Sequence, residues 1–250
     1  MKKKALVTGA SGGIGRAFAQ RLAKEGYLVT AVARTETQLQ SLMKELGEGH
    51  SFLVADLSTA EGIGKVSSHL TSQHHDLLVN NAGVGTAGTF TGVAWERQAA
   101  MLRLNIEALT ALSYAFIKTS KAGDALINVS STLAFLPMPS LGLYSATKAF
   151  VTSFTESLWF EQKNRGVYAM GLCPGITDTS FHSNAGGDGG ELPKHLVQTP
   201  EQVVEVAMRA LAARKQPTVI SGAKNAAMAT MARMMPRRST VSMMGKMSPA

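Results

Sequence analysis

One cysteine in 250 residues, Cys173, excludes an internal disulfide and suits a reducing compartment. It stands before Pro174 at the end of an apolar run, where a small buried residue is expected rather than a reactive thiol. The six histidines include the pair His74-His75, but no Cys or carboxylate spacing beside it resembles a metal site, and no metal is assigned. Long hydrophobic runs are also missing. No segment approaches ~18 apolar residues, so no membrane span is expected. The start, MKKKALVTG, has the cations of a signal peptide, but its apolar run breaks after three residues at Thr8-Gly9. Together these absences point to the cytoplasm.

Acidic residues run short in one region. From Val206 to Ala250 there are eight Lys or Arg and no Asp or Glu, which equals the whole net charge of +8. Residues 1–205 are balanced, at 17 basic against 17 acidic. The basic excess therefore belongs to the tail and does not mark the rest of the chain as nucleic-acid binding.

The length allows one large α/β domain with a full core and is too short for two comfortable ones. An apolar content of 45% with 24 glycines fits a globular chain with many tight loops. Lys4 to Thr8 reads as a short buried strand, followed at once by Gly9-Ala10-Ser11-Gly12-Gly13-Ile14-Gly15 and a helical pattern from Arg16 to Glu25. Strand, glycine turn and helix form a phosphate site. The glycines let the backbone approach a pyrophosphate, and the free N–H groups of the helix start point at it. No Lys-Ser or Lys-Thr follows the glycines, which argues against a Walker A loop. A flexible glycine turn is the plain alternative; the strand before and the helix after favour a dinucleotide.

The next strand, Leu28 to Ala33, ends in Ala33-Arg34-Thr35. A carboxylate near here suits the ribose hydroxyl of NAD, whereas an arginine suits the 2′-phosphate of NADP. Arg34, with Arg16 as a second cation, favours NADPH over NAD(H). The alternatives are that Arg34 is a surface residue and that Glu36 takes the ribose. Strand and helix then alternate through Phe52–Ala55, 59–73 and Leu77–Val79. Asp56 follows the third strand, where it can bind an adenine amino group or cap its own turn. Asn80-Asn81-Ala82-Gly83 ends the fourth, at the carboxyl edge where ligands sit in open parallel sheets. A long helical segment over 95–118 carries Asn105 in its middle, and a mid-helix asparagine tends to distort its helix.

Tyr144 and Lys148 are four residues apart, one above the other on a helix running to about residue 164. An ammonium there favours the phenolate and lowers the phenol towards working pH, as proton exchange with an alkoxide requires. Ser131, at the carboxyl end of the buried run Ala125–Val129, can donate to the same substrate oxygen. The plain alternatives are a core tyrosine, a solvated lysine and a strand-end cap. Ala149, Phe150, Phe154, Trp159 and Phe160 cover more than one face of the Tyr144 helix, which suggests partner contact as well as core. After a strand over 167–173 come Pro174-Gly175-Ile176-Thr177-Asp178-Thr179 and a loop from Ser180 to Gln198, whose Gly186–Gly190 cluster reads as a mobile cover. Thr199-Pro200-Glu201-Gln202 is a capping-box helix start, and 218–221 a last strand.

TGASGGIG at 8–15, NNAG at 80–83, Asn105, Ser131, YSATK at 144–148 and PGITDT at 174–179 together resemble the short-chain dehydrogenase/reductase family over residues 4–222. The resemblance implies a single Rossmann-type, doubly wound α/β domain with a seven-stranded parallel sheet, and a tetrad of Asn105, Ser131, Tyr144 and Lys148. It implies a cofactor cradle of Gly9, Ser11, Gly13, Ile14, Gly15, Arg34, Asp56, Asn81, Ala82, Gly83, Pro174, Gly175, Thr177 and Thr179, with Tyr144 and Lys148 at the nicotinamide end. Tyr144 would protonate the carbonyl oxygen and Ser131 orient it, while Asn105 supports a water in the proton relay. Two features depart from the family: Leu133-Ala134 stands where Ala-Gly is frequent, and Gly12 where some NADPH-preferring members carry a cation.

The expected activity is carbonyl reduction of a small hydrophobic substrate, walled by Leu133, Phe135, Leu136, Met138 and Leu141. Family habit adds a homodimer or homotetramer. A nucleotide sensor or scaffold without turnover is the competing class, and the intact tetrad argues against it. Residues 223–250 form a separate extension holding seven of the thirteen methionines, with Pro236 between two potential helices. A frayed terminus, a subunit contact, a cover over a greasy substrate and a peripheral membrane contact all remain open for it.

Overall fold

The structure, a computed structural model, describes residues 2–181, 185, 186 and 197–247. Seven parallel strands form one sheet in the order β3-β2-β1-β4-β5-β6-β7. They are β1 Lys4–Thr8, β2 Leu28–Ala33, β3 Ser51–Val54, β4 Leu77–Asn80, β5 Ala125–Val129, β6 Tyr168–Cys173 and β7 Thr218–Ile220. Helices α1 Gly13–Lys24, α2 Glu36–Leu46 and α7 Pro200–Ala213 cover one face. Helices α3 Ala60–Ser72, α5 Leu109–Thr119 and α6 Gly142–Glu161 cover the other. Strand alternation divides the two cores. Ala5 and Val7 join Phe18, Leu22, Leu39 and Val203, whereas Leu6 joins Val66, Leu112 and Phe116. Successive connections wind outwards in opposite directions from β1 and β4, which opens a crevice at their carboxyl ends. This is the doubly wound architecture expected from the sequence.

The chain from Trp95 to Thr119 is helical throughout and, by length and composition, apolar enough to cross a membrane. That corrects the expectation that no segment would qualify. Its inner side chains Met101, Ala108, Leu112 and Phe116 are buried in this domain, as in a core helix. Around Asn105 it is distorted. Between α4 (Trp95–Leu102) and α5 lies a π-turn, Arg103–Ala108, in which one extra residue is accommodated. Helix α7 starts as expected: Gln202 N–H donates to the Thr199 hydroxyl (3.3 Å), Thr199 N–H donates to the Gln202 side chain (3.0 Å), and Pro200 follows the cap.

The extension is folded rather than frayed. Helices α8 (Ala223–Met234) and α9 (Arg237–Met247) flank Pro236. Ala232 and Met244 are buried against Leu136, with Leu133, Met138, Met228 and Met243 packed around them. Leu136 is 1% exposed, so it is covered by the extension and does not wall an open pocket. Most of the glycine-rich loop falls outside the described residues. Its far end is pinned: Gln198 N–H donates to the Ile176 carbonyl (2.9 Å), and Asp178 N–H to the Gln198 carbonyl (2.9 Å).

Candidate active site

The glycine turn is shaped by close approach. Gly9 (φ +65°) and Gly13 (φ +51°) occupy the left-handed region that favours glycine. A Cβ on Gly15 would lie 2.2 Å from the Gly9 carbonyl oxygen, whereas one on Gly12 would meet nothing within 4 Å. Thr8 and Asn81 brace the turn. The Thr8 hydroxyl accepts from the Asn81 and Ala82 N–H groups (both 2.9 Å), and the Asn81 amide donates to the Thr8 carbonyl (2.9 Å). Ile14 packs on the core, and the Ser11 carbonyl accepts from Arg16 (3.4 Å). Thr179 comes from the opposite side, its Cγ2 2.8 Å from where a Gly13 Cβ would stand. The Pro174 carbonyl accepts from Thr132 N–H (2.8 Å), and the buried Thr177 hydroxyl donates to the Gly175 carbonyl (3.1 Å). All of these lie at the carboxyl edge.

Arg34 is exposed just past β2. Burial pushes the Asp56 carboxyl up, but two hydrogen bonds from Ser58 and the charge of Arg34 more than offset it and hold the group below its usual range. The Asp56 side chain caps its own turn through Oδ1. Arg16 does not stand free as a second cation: it is ion-paired with Glu45 and hydrogen bonded to Ser41.

Helix α6 carries a buried stripe of Tyr144, Lys148, Val151, Thr155 and Leu158 at helical spacing. Lys148 is 4% exposed, which rules out a solvated lysine. Its ammonium donates to the Val129 carbonyl (2.9 Å) and lies 5.7 Å from the Tyr144 ring centre. Ser131 is hydrogen bonded to the Tyr144 phenol and also caps its own turn, accepting from Leu133 N–H (3.1 Å). The phenol's shift is the reverse of the expected one. Burial pushes the Tyr144 phenol up, and the Ser131 hydrogen bond only partly opposes it. Burial also lowers the Lys148 amine to about 8. Two groups taken out of water together both favour their neutral forms. The Cys173 thiol beside them is pushed up to about 11 by burial, in keeping with an inert core cysteine.

The amine gives a pH signature. Folded, Lys148 loses its proton near 8; unfolded, it does so near 10.5. Between those values the unfolded chain binds more protons, so this group's contribution to stability rises with pH. Tyr144 acts oppositely, and only above its ordinary 10.0. From pH 8 to 10 the wild type is expected to gain on the order of 2 kcal/mol relative to Lys148→Met. Denaturant unfolding at stepped pH measures this, and a flat or falling difference rejects the assignment.

Asn105 is held by the residues around it. Its carbonyl oxygen accepts from Val84 N–H (3.0 Å), and its amide donates to the Val84 carbonyl (2.9 Å) and the Thr147 hydroxyl (3.1 Å). Thr147 in turn donates to the Tyr144 carbonyl (2.7 Å). The Asn105 side chain is thereby committed to positioning the segment after β4. Gly83 lies between: a Cβ there would stand 3.2 Å from Asn105 Oδ1 and 3.3 Å from Lys148 Nζ.

Several contributors have no motif of their own. Ser130 donates to the Lys148 carbonyl (2.8 Å) and shares a hydrogen bond with Thr152 (2.7 Å), tying α6 to β5. Phe181 packs its ring 5.3 Å from that of Tyr144, and Arg233 of α8 lies 4.6 Å over the Phe135 ring. At the opposite edge of the sheet, His74 meets Asp124 (3.5 Å) and Asp76 (4.0 Å), a cluster that spacing alone did not reveal. His75 is a core residue, lowered to about 4 by burial.

A crevice that joins a glycine turn to a buried hydroxyl–phenol–amine cluster is the site of a dinucleotide-dependent oxidoreductase. The chain belongs to the short chain dehydrogenase family, whose model matches residues 3–188. It is 34% identical to the 7beta-hydroxysteroid dehydrogenase of Mediterraneibacter gnavus, over 89% of this chain and 87% of that protein. A solved 7beta-hydroxysteroid dehydrogenase structure superposes with a TM-score of 0.87 at 27% identity, covering 97% of this chain and 96% of that one. A short-chain dehydrogenase from Sphingobium yanoikuyae, solved in complex with NADPH, gives a TM-score of 0.83 at 30% identity, covering 93% and 94%.

Proposed function

We propose that this chain reduces a hydrophobic ketone, of the bulky alicyclic or 3-oxoacyl kind, to an alcohol at the expense of NADPH. The observation that carries the reading is the buried Ser131–Tyr144–Lys148 cluster at the same sheet edge as the glycine turn. The cradle fits a dinucleotide, because the Gly12 surface is open while Gly9, Gly13 and Gly15 admit no side chain. Ser11, Ile14, Asn81, Ala82, Pro174, Gly175, Thr177 and Thr179 complete it, with Asp56 towards the adenine. When bound, NADPH supplies the hydride.

The phenol does the proton work. A tyrosine held neutral by burial is a proton donor at neutral pH, which favours reduction. Ser131 donates to the carbonyl oxygen and fixes its direction. Lys148 keeps a positive charge close to the forming alkoxide below about pH 8, and Asn105 acts as a positioning residue through Val84 and Thr147. The apolar wall around Leu133, Phe135 and Met138 and the likeness to a steroid dehydrogenase support a hydrophobic substrate. The test is oxidation of NADPH with a panel of bulky ketones. Turnover of small charged substrates alone would overturn the substrate class, and no turnover by a nucleotide-binding protein would favour the sensor.

NADPH rather than NADH is supported by exposed Arg34 past β2, with alanine at 33 where a ribose-binding carboxylate would stand. Arg34→Ala is expected to raise KM for NADPH about tenfold and leave that for NADH nearly unchanged. Equal losses with both would remove the preference. The reading includes a cytoplasmic homodimer or homotetramer. A groove between α3, α5 and α6 exposes Tyr114 (68%) and Phe150 (38%). Light scattering is expected to give at least a dimer mass, and Tyr114→Glu with Phe150→Glu a smaller one.

A further inference from the structure

We propose that the outer face of the α8–α9 pair is a docking surface for an anionic lipid bilayer. The inner face of the pair is accounted for, since Ala229, Ala232 and Met244 are buried against the body. The outer face combines two features. Met231, Met234 and Val241 are 48%, 83% and 44% exposed. Lys224, Arg237, Arg238 and Lys246 are exposed among them. On α8, Lys224, Met231 and Met234 fall at i, i+7 and i+10, one stripe; on α9, Arg238 and Val241 are three apart. No carboxylate occurs between Glu205 and the end of the sequence to offset these cations.

Charge selects the occupant. An isologous contact with a second copy sets the same patch against itself, bringing cations onto cations with no acidic side chain on either helix. An anionic bilayer supplies the missing charge and takes up flexible methionine side chains at its interface, the combination by which basic amphipathic helices bind reversibly. The inner side of the pair packs on Leu133, Leu136 and Met138, just after Ser131. Docking therefore brings the wall of the candidate active site to the bilayer surface, where an apolar ketone partitions. That last consequence rests on the carbonyl-reductase reading; the docking itself does not.

The test is cosedimentation of the full chain with vesicles of phosphatidylcholine alone and of phosphatidylcholine mixed with phosphatidylglycerol. Salt-sensitive binding to the mixed vesicles only is expected. The quadruple variant Lys224→Gln, Arg237→Gln, Arg238→Gln, Lys246→Gln is expected to bind them at least about a hundredfold more weakly, at roughly fivefold per cation. Its melting curve and solution mass should match the wild type. Met231→Ser with Met234→Ser, which leaves the cations in place, is expected to remove the part of the binding that survives high salt. The proposal is overturned if the wild type shows no preference for anionic vesicles. It is equally overturned if both variants bind as the wild type does, or if the quadruple variant changes solution mass while vesicle binding is unaffected, which assigns the face to a second copy. Vesicle binding without ketone turnover would leave the docking intact and reject the carbonyl-reductase reading alone.

Discussion

Tyr144→Phe is expected to lower kcat for ketone reduction by about 10²–10⁴-fold while NADPH binding and the fold survive. The phenol is 7% exposed, so phenylalanine fills the same space and removes only the hydroxyl. Ser131 keeps its contact with Leu133 N–H, and Lys148 keeps its bond to the Val129 carbonyl. The loss therefore falls on the proton step. Nucleotide binding measured by titration, alongside the rate of NADPH consumption, separates the two effects. A variant retaining more than about a tenth of wild-type turnover would require another proton donor. A variant that loses nucleotide binding as well would make Tyr144 a structural residue of the crevice.

The second large effect is expected at Gly15. Alanine there sets a methyl carbon 2.2 Å from a backbone oxygen of the glycine turn, with Asn81 Nδ2 at 2.5 Å on another side. Neither neighbour is the free end of a flexible chain: one is backbone, and the other is held by the Thr8 carbonyl. The first helix must move away from β1, at a cost of about 3 kcal/mol or more. For a chain of this size that corresponds to a melting temperature lower by roughly 6–12 °C, together with loss of the nucleotide site. Gly12→Ala is the matched control. Its backbone is extended (φ −164°) and a Cβ there meets nothing within 4 Å. Calorimetry should show little change for it, and two equally destabilised variants would contradict the close-approach argument.

The sequence disclosed what depends on short-range order. The strand–glycine–helix unit at Lys4–Lys24 is contiguous, and the Tyr144–Lys148 pair follows from helix periodicity. The distortion at Asn105 could also be read, because a side-chain amide competes for backbone partners wherever it sits in a helix. Contacts that depend on the folded sheet were hidden. Asn105 finds Val84 and Thr147, 21 and 42 residues away. Arg16 finds Glu45, and Phe181 reaches the Tyr144 ring across the crevice. The sign of the phenol shift was hidden for a related reason. Spacing tells that an ammonium is near, whereas burial of both groups is known only once β5, β6 and α6 enclose them. The tail's composition announced an adaptable basic segment, but only the packing on Leu136 shows which side of it faces outwards.

The extra residue at Arg103–Ala108 has a consequence for how this protein can change over evolutionary time. A π-turn takes up its extra residue locally, so deleting one residue there would restore a regular helix and leave the segments on either side in their present phase. Leu112 and Phe116 would stay on the sheet, while the Asn105 side chain would be re-aimed and lose its hold on Val84. The irregularity is thus dispensable to the hydrophobic interior, and what holds it in place is the bonding of Asn105 to Val84 and Thr147.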